Sequence, residues 1–288
     1  MPDPLSALAP AKINLILEVT GVRPDGYHEI DTVLQTLELA DEVRIAWSEG
    51  AAGVRVSGPF ATGTPADESN LAWRAAALLA GRLGRTIEGL SIHLEKHIPP
   101  AGGLGGGASD AATVLCLLGT HWGAARAETE AVADAVGSDE AFFLAGGGTA
   151  RARGRGERIS RLPALPRQPV VLFVPPATIE RKTARMFAAL DRLPFDDGEV
   201  SAAFAARELS PVSGTDVHNA FERVAFDLFS GLAPLWEALE SRSGESVHLA
   251  GAGPTLFWIG QDVDADRVVG AASGLGCTVI PTWTAGRR

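Results

Sequence analysis

The patterning of this 288-residue chain is that of an α+β protein in two domains. Segments with strand alternation and segments with helical spacing are mixed, without the regular βα succession of a doubly wound parallel sheet. A proline cluster, LPALPRQP, spans residues 162–169 and marks a boundary there, giving domains 1–163 and 164–288. Beyond it, HLAGAGPTLFWIG reads as strand, glycine turn, strand.

In KINLILEVT, Ile13, Leu15, Leu17 and Val19 share one face and Lys12, Asn14, Ile16 and Glu18 the other, which is the period of a strand. On that pattern a lysine at position 12 is as readily a solvated strand residue as a functional one. RPDGYHE follows, with Pro-Asp-Gly a turn signal. Further strands are expected at 30–39, 43–47 and 54–57, then an alanine-rich amphipathic helix at 68–83 and a strand in LSIHLEKHI. Residues 108–118 are apolar almost all round, so that helix should be buried. A helix at 128–136 precedes GGGTARARGRGERI, a turn leading into a strand or hairpin. In the second half come a strand at 170–174, several helices between 181 and 241, a helix at 264–273 and a final strand at 277–283.

Composition removes several classes of function. A net charge of −10 lacks the basic footprint of a duplex nucleic acid partner, although backbone N–H groups can still hold a small polyanion. Apolar runs fall short of the roughly 20 residues a membrane helix needs. The segment MPDPLSALAP is broken by prolines and reads as neither signal nor anchor, so a cytoplasmic protein is expected. Two cysteines, Cys116 and Cys277, are too few for a disulfide scaffold. The chain places arginine almost everywhere a cation appears and keeps lysine only at Lys12, Lys96 and Lys182, positions where a compact charge suits better than a planar fork.

The densest signal is PPAGGLGGGASDAATVLCLL, five glycines between Pro99 and Ser109 followed by a helix. A mobile surface loop would have no reason to end on a buried helix. A dinucleotide fingerprint fits Gly103 to Ala108 as G-x-G-x-x-A, but Pro99 and Pro100 separate it from its strand, and the expected acid falls inside a helical segment. The third reading is a phosphate loop, in which successive N–H groups wrap a polyphosphate and the helix adds its positive end. A second glycine turn, Gly251-Ala-Gly253, suits the same ligand.

PAKINLILEVTGVRPDGYHEIDTVLQTL, PPAGGLGGGASDAATVL, VGSDEAFF and HLAGAGPTLF, in that order, resemble the motifs of the GHMP kinases. The combination of P-A-K-I-N-L, D-G-Y-H and G-L-G-G-G-x-S-D is similar to the branch whose acceptor is the cytidyl diphosphate of methylerythritol. The resemblance implies an N-terminal ribosomal-protein-S5-domain-2-like domain carrying ATP and a ferredoxin-like C-terminal domain. It implies that Pro99, Pro100, Ala101, Gly102, Gly103, Leu104, Gly105, Gly106, Gly107, Ala108 and Ser109 cradle the ATP phosphates. Lys12 and Asp139 match the catalytic pair, with Asp139 accepting the hydroxyl proton and Lys12 orienting that hydroxyl and stabilising developing charge. Tyr27 and His28 match cytidine-recognising positions, with Phe187 as the opposite side of the stack. Thr183, Asn14, Gly251 and Gly253 complete the substrate side. ATP and Mg2+ are implied as cofactors, with no metal ligand assigned; no nucleic acid or membrane partner is expected, and the state is monomer or homodimer. On residue pattern alone, Asp139 also reads as a helix N-cap, and Tyr27 reads more readily as a ring packed over the preceding turn than as a base-stacking residue.

The chain departs from the family pattern at several places, among them Ala108, which stands for the first serine after the glycines while Ser109 is retained. Gly-Ala-Asp-Val-Pro appears as Gly137-Ser138-Asp139-Glu140-Ala141, which leads to the expectation that Glu140 raises the pKa of Asp139 by like-charge repulsion. Ala250 and Ala252 replace the serines of the third motif, the 179–183 stretch is about two residues longer than usual, and His218-Asn219-Ala220-Phe221-Glu222 lacks the familiar aspartate. Another GHMP kinase of homoserine or mevalonate type, or a non-catalytic nucleotide-binding regulator, stands as the alternative at this stage.

Overall fold

The chain opens with two long strands, β1 (Leu5–Val22) and β2 (His28–Trp47), joined by the turn that contains Pro24, Asp25 and Gly26. In order follow β3 (Gly53–Ser57), α1 (Leu71–Leu83), β4 (Leu90–Glu95), α2 (Gly106–Trp122), α3 (Arg126–Val136), α4 (Glu140–Leu144), β5 (Thr149–Gly154) and β6 (Arg158–Arg161). The remainder comprises β7 (Pro169–Val174), α5 (Lys182–Leu190), α6 (Glu199–Ala206), β8 (His218–Asn219), α7 (Glu222–Leu228), α8 (Leu232–Ser243), β9 (His248–Leu249), β10 (Leu256–Ile259), α9 (Asp262–Ala271) and β11 (Thr278–Trp283). The structure, a computed structural model, describes residues 3–48, 52–177, 179–208 and 210–286.

Two units are assembled from interleaved segments. The first takes Met1–Ala11, Leu39–Pro100 and Gly105–Gly147, the second Lys12–Glu38, Ala101–Leu104 and Gly148–Arg288. In the first, β4 pairs in parallel with β3 and antiparallel with the C-terminal half of β2, with Ile45 opposite Ile92. Leu90, Ile92 and Leu94 are buried while Ser91, His93 and Glu95 are half-buried, so the period of two directs one face of β4 to the core. Ala72, Ala75, Ala76 and Leu79 of α1, Val114, Leu115 and Leu118 of α2, and Val132 of α3 fill that core against Val43, Ile45, Ile92 and Leu94. Asn70 starts α1 by accepting a hydrogen bond from the Ala72 N–H at 2.9 Å, and Gly84 ends it in the left-handed conformation.

In the second unit the antiparallel order β11-β7-β10-β9 forms a four-stranded sheet. Val171, Phe173, Leu256 and Trp258 of that sheet pack with Met186, Leu190, Leu235, Leu239, Leu17 and Val19. Full burial of each such side chain contributes roughly 2 kcal/mol relative to exposure. β5 pairs antiparallel with the N-terminal half of β2 and with β6, and β8 lies parallel to β1, with Asn219 opposite Leu17.

The mixed α+β class and most of the expected elements are present. Two local expectations need correction. Pro10 does not break the chain, since β1 runs from Leu5. The strands expected at 30–39 and 43–47 are one strand, β2, because residues 40–42 continue the ladder. Of the two readings of Lys12, the solvated strand residue is the one the structure removes: it is 5 % exposed, and Asn14, Ile16 and Glu18 on its face are buried, as are Ile13 and Leu15 on the other.

Candidate active site

Within the second unit, β1 delivers Lys12 and Asn14 to one face. Lys12 Nζ donates to Asn14 Oδ1 at 2.9 Å, and Asn14 Nδ2 donates to Thr32 Oγ1 at 2.8 Å. Thr32 Oγ1 in turn donates to the Ile16 carbonyl at 2.6 Å, fixing the Asn14 amide and, through it, the ammonium. Gly251 sits beside this pair. A Cβ there would lie 3.2 Å from Lys12 Nζ, 3.3 Å from Asn14 Oδ1 and 2.9 Å from the Gly103 carbonyl oxygen. At Gly103 (φ 87°) a Cβ would overlap the Ala250 carbonyl, so only glycine lets the two turns meet.

The 101–104 stretch turns its carbonyls toward the protein. Ala101 O accepts from Lys182 Nζ at 2.6 Å, Gly102 O from the Thr255 N–H at 3.4 Å, and Leu104 O from the Lys12 N–H at 2.9 Å. In a trans peptide the N–H lies opposite the C=O, so the amides that follow these carbonyls are directed away from those donors. Asn219 holds the other turn, with Nδ2 donating to the carbonyls of Leu249 (2.7 Å) and Gly251 (2.8 Å).

The first unit supplies a helix start suited to an anion. α2 begins after Gly105 in the left-handed conformation (φ 73°) with no side-chain cap, which leaves its first N–H groups for a ligand. Ser109 in that turn is fully buried, and its Oγ has no hydrogen-bond partner. These features fit a phosphate group. Behind them Lys96 is buried between Asp41 and Asp110, donating to Asp41 Oδ2 and to Asp110 Oδ2 at 2.5 Å. Asp41 also accepts from the backbone N–H groups of His97 (2.5 Å) and Ile98 (2.8 Å), while Oδ1 of Asp110 has no partner. Burial pushes the Asp110 carboxyl up to about 7 against the pull of Lys96. Burial pulls Lys96 down, but Asp110 and Asp41 outweigh it and hold its pKa above the ordinary lysine value. With Asp110 protonated the trio is neutral and does not repel an anion at the helix end.

Asp139 occupies the N-cap position of α4, yet its side chain makes no cap hydrogen bond, so capping is not its role. Beside it Glu140 is 2 % exposed and folds over Gly137, where a Cβ would meet its carboxyl. Burial first, and then the charge of Asp139, push the Glu140 carboxyl up to about 7.

Back in the second unit, Tyr27 is 54 % exposed, with the Arg155 guanidinium 4.9 Å from its ring centroid. His28 stacks on Phe187 (4.2 Å between centroids, 17° between planes), and its Nε2 lies 2.7 Å from Asp191 Oδ1. Thr183 is exposed on α5. The scarcity of lysine singles out Lys96 and Lys182 in the sequence without naming their partners, whereas Asn219 is not assigned there to holding the second turn. The available signal was scarcity, since the chain has three lysines and three asparagines, and all three asparagines are buried in side-chain hydrogen bonds. Among the described residues no group of three or more His, Cys, Asp or Glu side chains is placed to hold a metal, and no helix is long and apolar enough to cross a membrane.

Residues 70–147, which contain the uncapped helix start and Asp139, match the family model for the GHMP kinases N terminal domain. The chain has the GHMP kinase fold. It superposes on the crystal structure of L. major mevalonate kinase with a TM-score of 0.67 at 12% identity, over 99% of both chains. It matches a crystal structure of 4-(cytidine 5'-diphospho)-2C-methyl-D-erythritol kinase more strongly, with a TM-score of 0.75 and 35% identity over 98% of this chain and 100% of the other. The 4-diphosphocytidyl-2-C-methyl-D-erythritol kinase of Pelotomaculum thermopropionicum is 37% identical, with 93% of each chain covered. That of Geobacillus thermodenitrificans is 36% identical, with 99% and 98% covered. The chain belongs to the 4-diphosphocytidyl-2-C-methyl-D-erythritol kinase family.

Proposed function

We propose that this protein is an ATP-dependent kinase that phosphorylates the 2-hydroxyl of 4-diphosphocytidyl-2-C-methyl-D-erythritol, yielding the 2-phosphate and ADP in isoprenoid precursor synthesis. The observation that carries this reading is the buried Lys12 ammonium, oriented by Asn14 beside two glycine turns that close on each other. A solvated strand lysine has no need of such a relay.

ATP, when bound, supplies the phosphoryl group and Mg2+ offsets its charge; the metal's ligands are not assigned. The backbone amides of 99–109 and the start of α2 hold the phosphates. Asp139 takes the proton of the 2-hydroxyl as the new O–P bond forms and the bond to the departing ADP oxygen breaks. Lys12 holds the acceptor oxygen and stabilises its developing charge. Tyr27, His28 and Phe187 recognise the cytosine, and Asn14, Thr183, Gly251 and Gly253 the polyol and phosphate end. A cytosine-recognising set has no use on homoserine or mevalonate, which carry no base.

The division at 163/164 separates the nucleotide-binding and C-terminal domains by sequence, whereas the compact units interleave. The protein acts in the cytoplasm on small molecules, as monomer or homodimer. Incubation with ATP, Mg2+ and the cytidyl alcohol, with detection of ADP, tests the reading. ADP release that requires the cytidyl alcohol is the expected result, and its absence overturns the proposal.

A further inference from the structure

Two residues other than glycine have left-handed backbone among the described residues, Ala101 (φ 56°) and Arg181 (φ 50°). An L-residue with a Cβ holds that conformation only where its surroundings fix it. One side chain joins the two. Lys182, the residue after Arg181, donates from Nζ to the Ala101 carbonyl at 2.6 Å and also to the Gly253 carbonyl. The main-chain N–H groups of Thr255 and Lys12 also donate to carbonyls of this stretch, those of Gly102 and Leu104.

We infer that Lys182 is a positioning residue for phosphoryl transfer: its ammonium holds the 101–102 peptide against the Gly253 turn, and so sets the direction of the Gly102 N–H at the entrance of the glycine loop. The inference rests on the loop's role as the ATP phosphate cradle. Its physical content is a rotation. The 101–102 peptide is trans, so anchoring its C=O fixes its N–H on the opposite side. Without the anchor, Ala101 relaxes toward its preferred negative φ and the peptide turns with it. An ammonium suits the task because its three N–H bonds radiate from one atom and reach carbonyls on two separate turns, where a planar fork does not. That requirement also accounts for lysine at this position in an arginine-rich chain.

The test uses the full chain with Lys182→Met, with Ala101→Gly added in the same background. Lys182→Met should raise the ATP KM and the ADP Kd, the latter measured by calorimetry, about tenfold, as for one hydrogen bond to a charged group. Thermal unfolding should move by no more than a few degrees. Adding Ala101→Gly should recover at least threefold of the lost affinity, because glycine enters the left-handed region without a brace. An ATP KM and ADP Kd within twofold of wild type in Lys182→Met overturn the inference, as does a weakened affinity that Ala101→Gly leaves untouched. Failure of both Lys182→Met and Lys182→Gln to fold also overturns it, marking the lysine as a structural brace. Wild-type protein that binds no ADP overturns the reading of the loop itself, a distinct failure seen before any variant is compared.

Discussion

Lys12 Nζ and Asn14 Oδ1 lie 2.9 Å apart on a buried face of β1. Two residues apart on a strand, their side chains project to the same side, and the amide takes one of the three ammonium donors. The rotation of that amide is set by Thr32, which is bonded in turn to the strand's own carbonyl at Ile16. The cation is therefore aimed before any ligand arrives.

Asn14→Ala should lower kcat about 10- to 100-fold, as expected when a reacting group is misplaced by around an ångström, with the ATP KM within twofold. Lys12→Ala and Asp139→Ala should each lower kcat about 100-fold or more, with ADP binding retained by calorimetry. Near-wild-type turnover in both of the latter variants would refute the assigned roles.

Lys96→Met leaves two carboxyl groups buried without their cation and should cost about 3–5 kcal/mol in urea unfolding. Asp110→Asn removes the acid whose second oxygen is already unpaired and keeps the Lys96–Asp41 contact, so it should cost less than half as much. Equal losses in the two variants would show that the trio does not divide in this way.

The contrast between Lys96 and Val114 shows what a sequence makes visible. Val114, Leu115 and Leu118 announce a buried helix face by spacing alone, and the structure buries them. Exposed Cys116 and Thr120 show that the same helix, apolar almost all round in sequence, still has a solvent side. Lys96 gives no local sign of burial, because its partners Asp41 and Asp110 come from β2 and α2. The burial of the Lys12 face of β1 is hidden from the sequence for a related reason. Strict alternation reads as one wet face, but Lys12, Asn14 and Glu18 are covered by partners distant in sequence, Ser201 among those of Glu18. The glycine turns were legible because close backbone approach admits no other residue at Gly103, whereas Asn219, which holds the second turn, is a single polar residue in a two-residue strand.

Tyr27→Ala should raise the KM for the cytidyl acceptor by loss of base stacking worth roughly 1–3 kcal/mol, which is about 5- to 150-fold. The ring is exposed and packs on Arg155 rather than the core, so the unfolding midpoint should hardly move. Steady-state kinetics with each substrate varied in turn decides the matter. A rise in the ATP KM instead of the acceptor KM would assign Tyr27 to the other ligand.

Glu140 makes a pH prediction of definite sign. Its carboxyl is raised from 4.5 to about 7, chiefly by burial, so between those values the folded protein holds a proton that the unfolded chain has released. Stability from this group is fully present below about pH 4.5, declines as pH rises, and is lost once pH passes about 7. Glu140→Gln keeps the neutral, hydrogen-bonding form at every pH. It should therefore match wild type near pH 5 and exceed it at pH 8, by about 3 kcal/mol as an upper bound. Urea unfolding of both proteins at the two pH values measures the difference directly. Other raised carboxyls, Asp110 included, act equally on both proteins and cancel. A variant less stable than wild type at pH 8 would mean that Glu140 is ionised and paired in the fold, the reverse of what its burial over Gly137 implies.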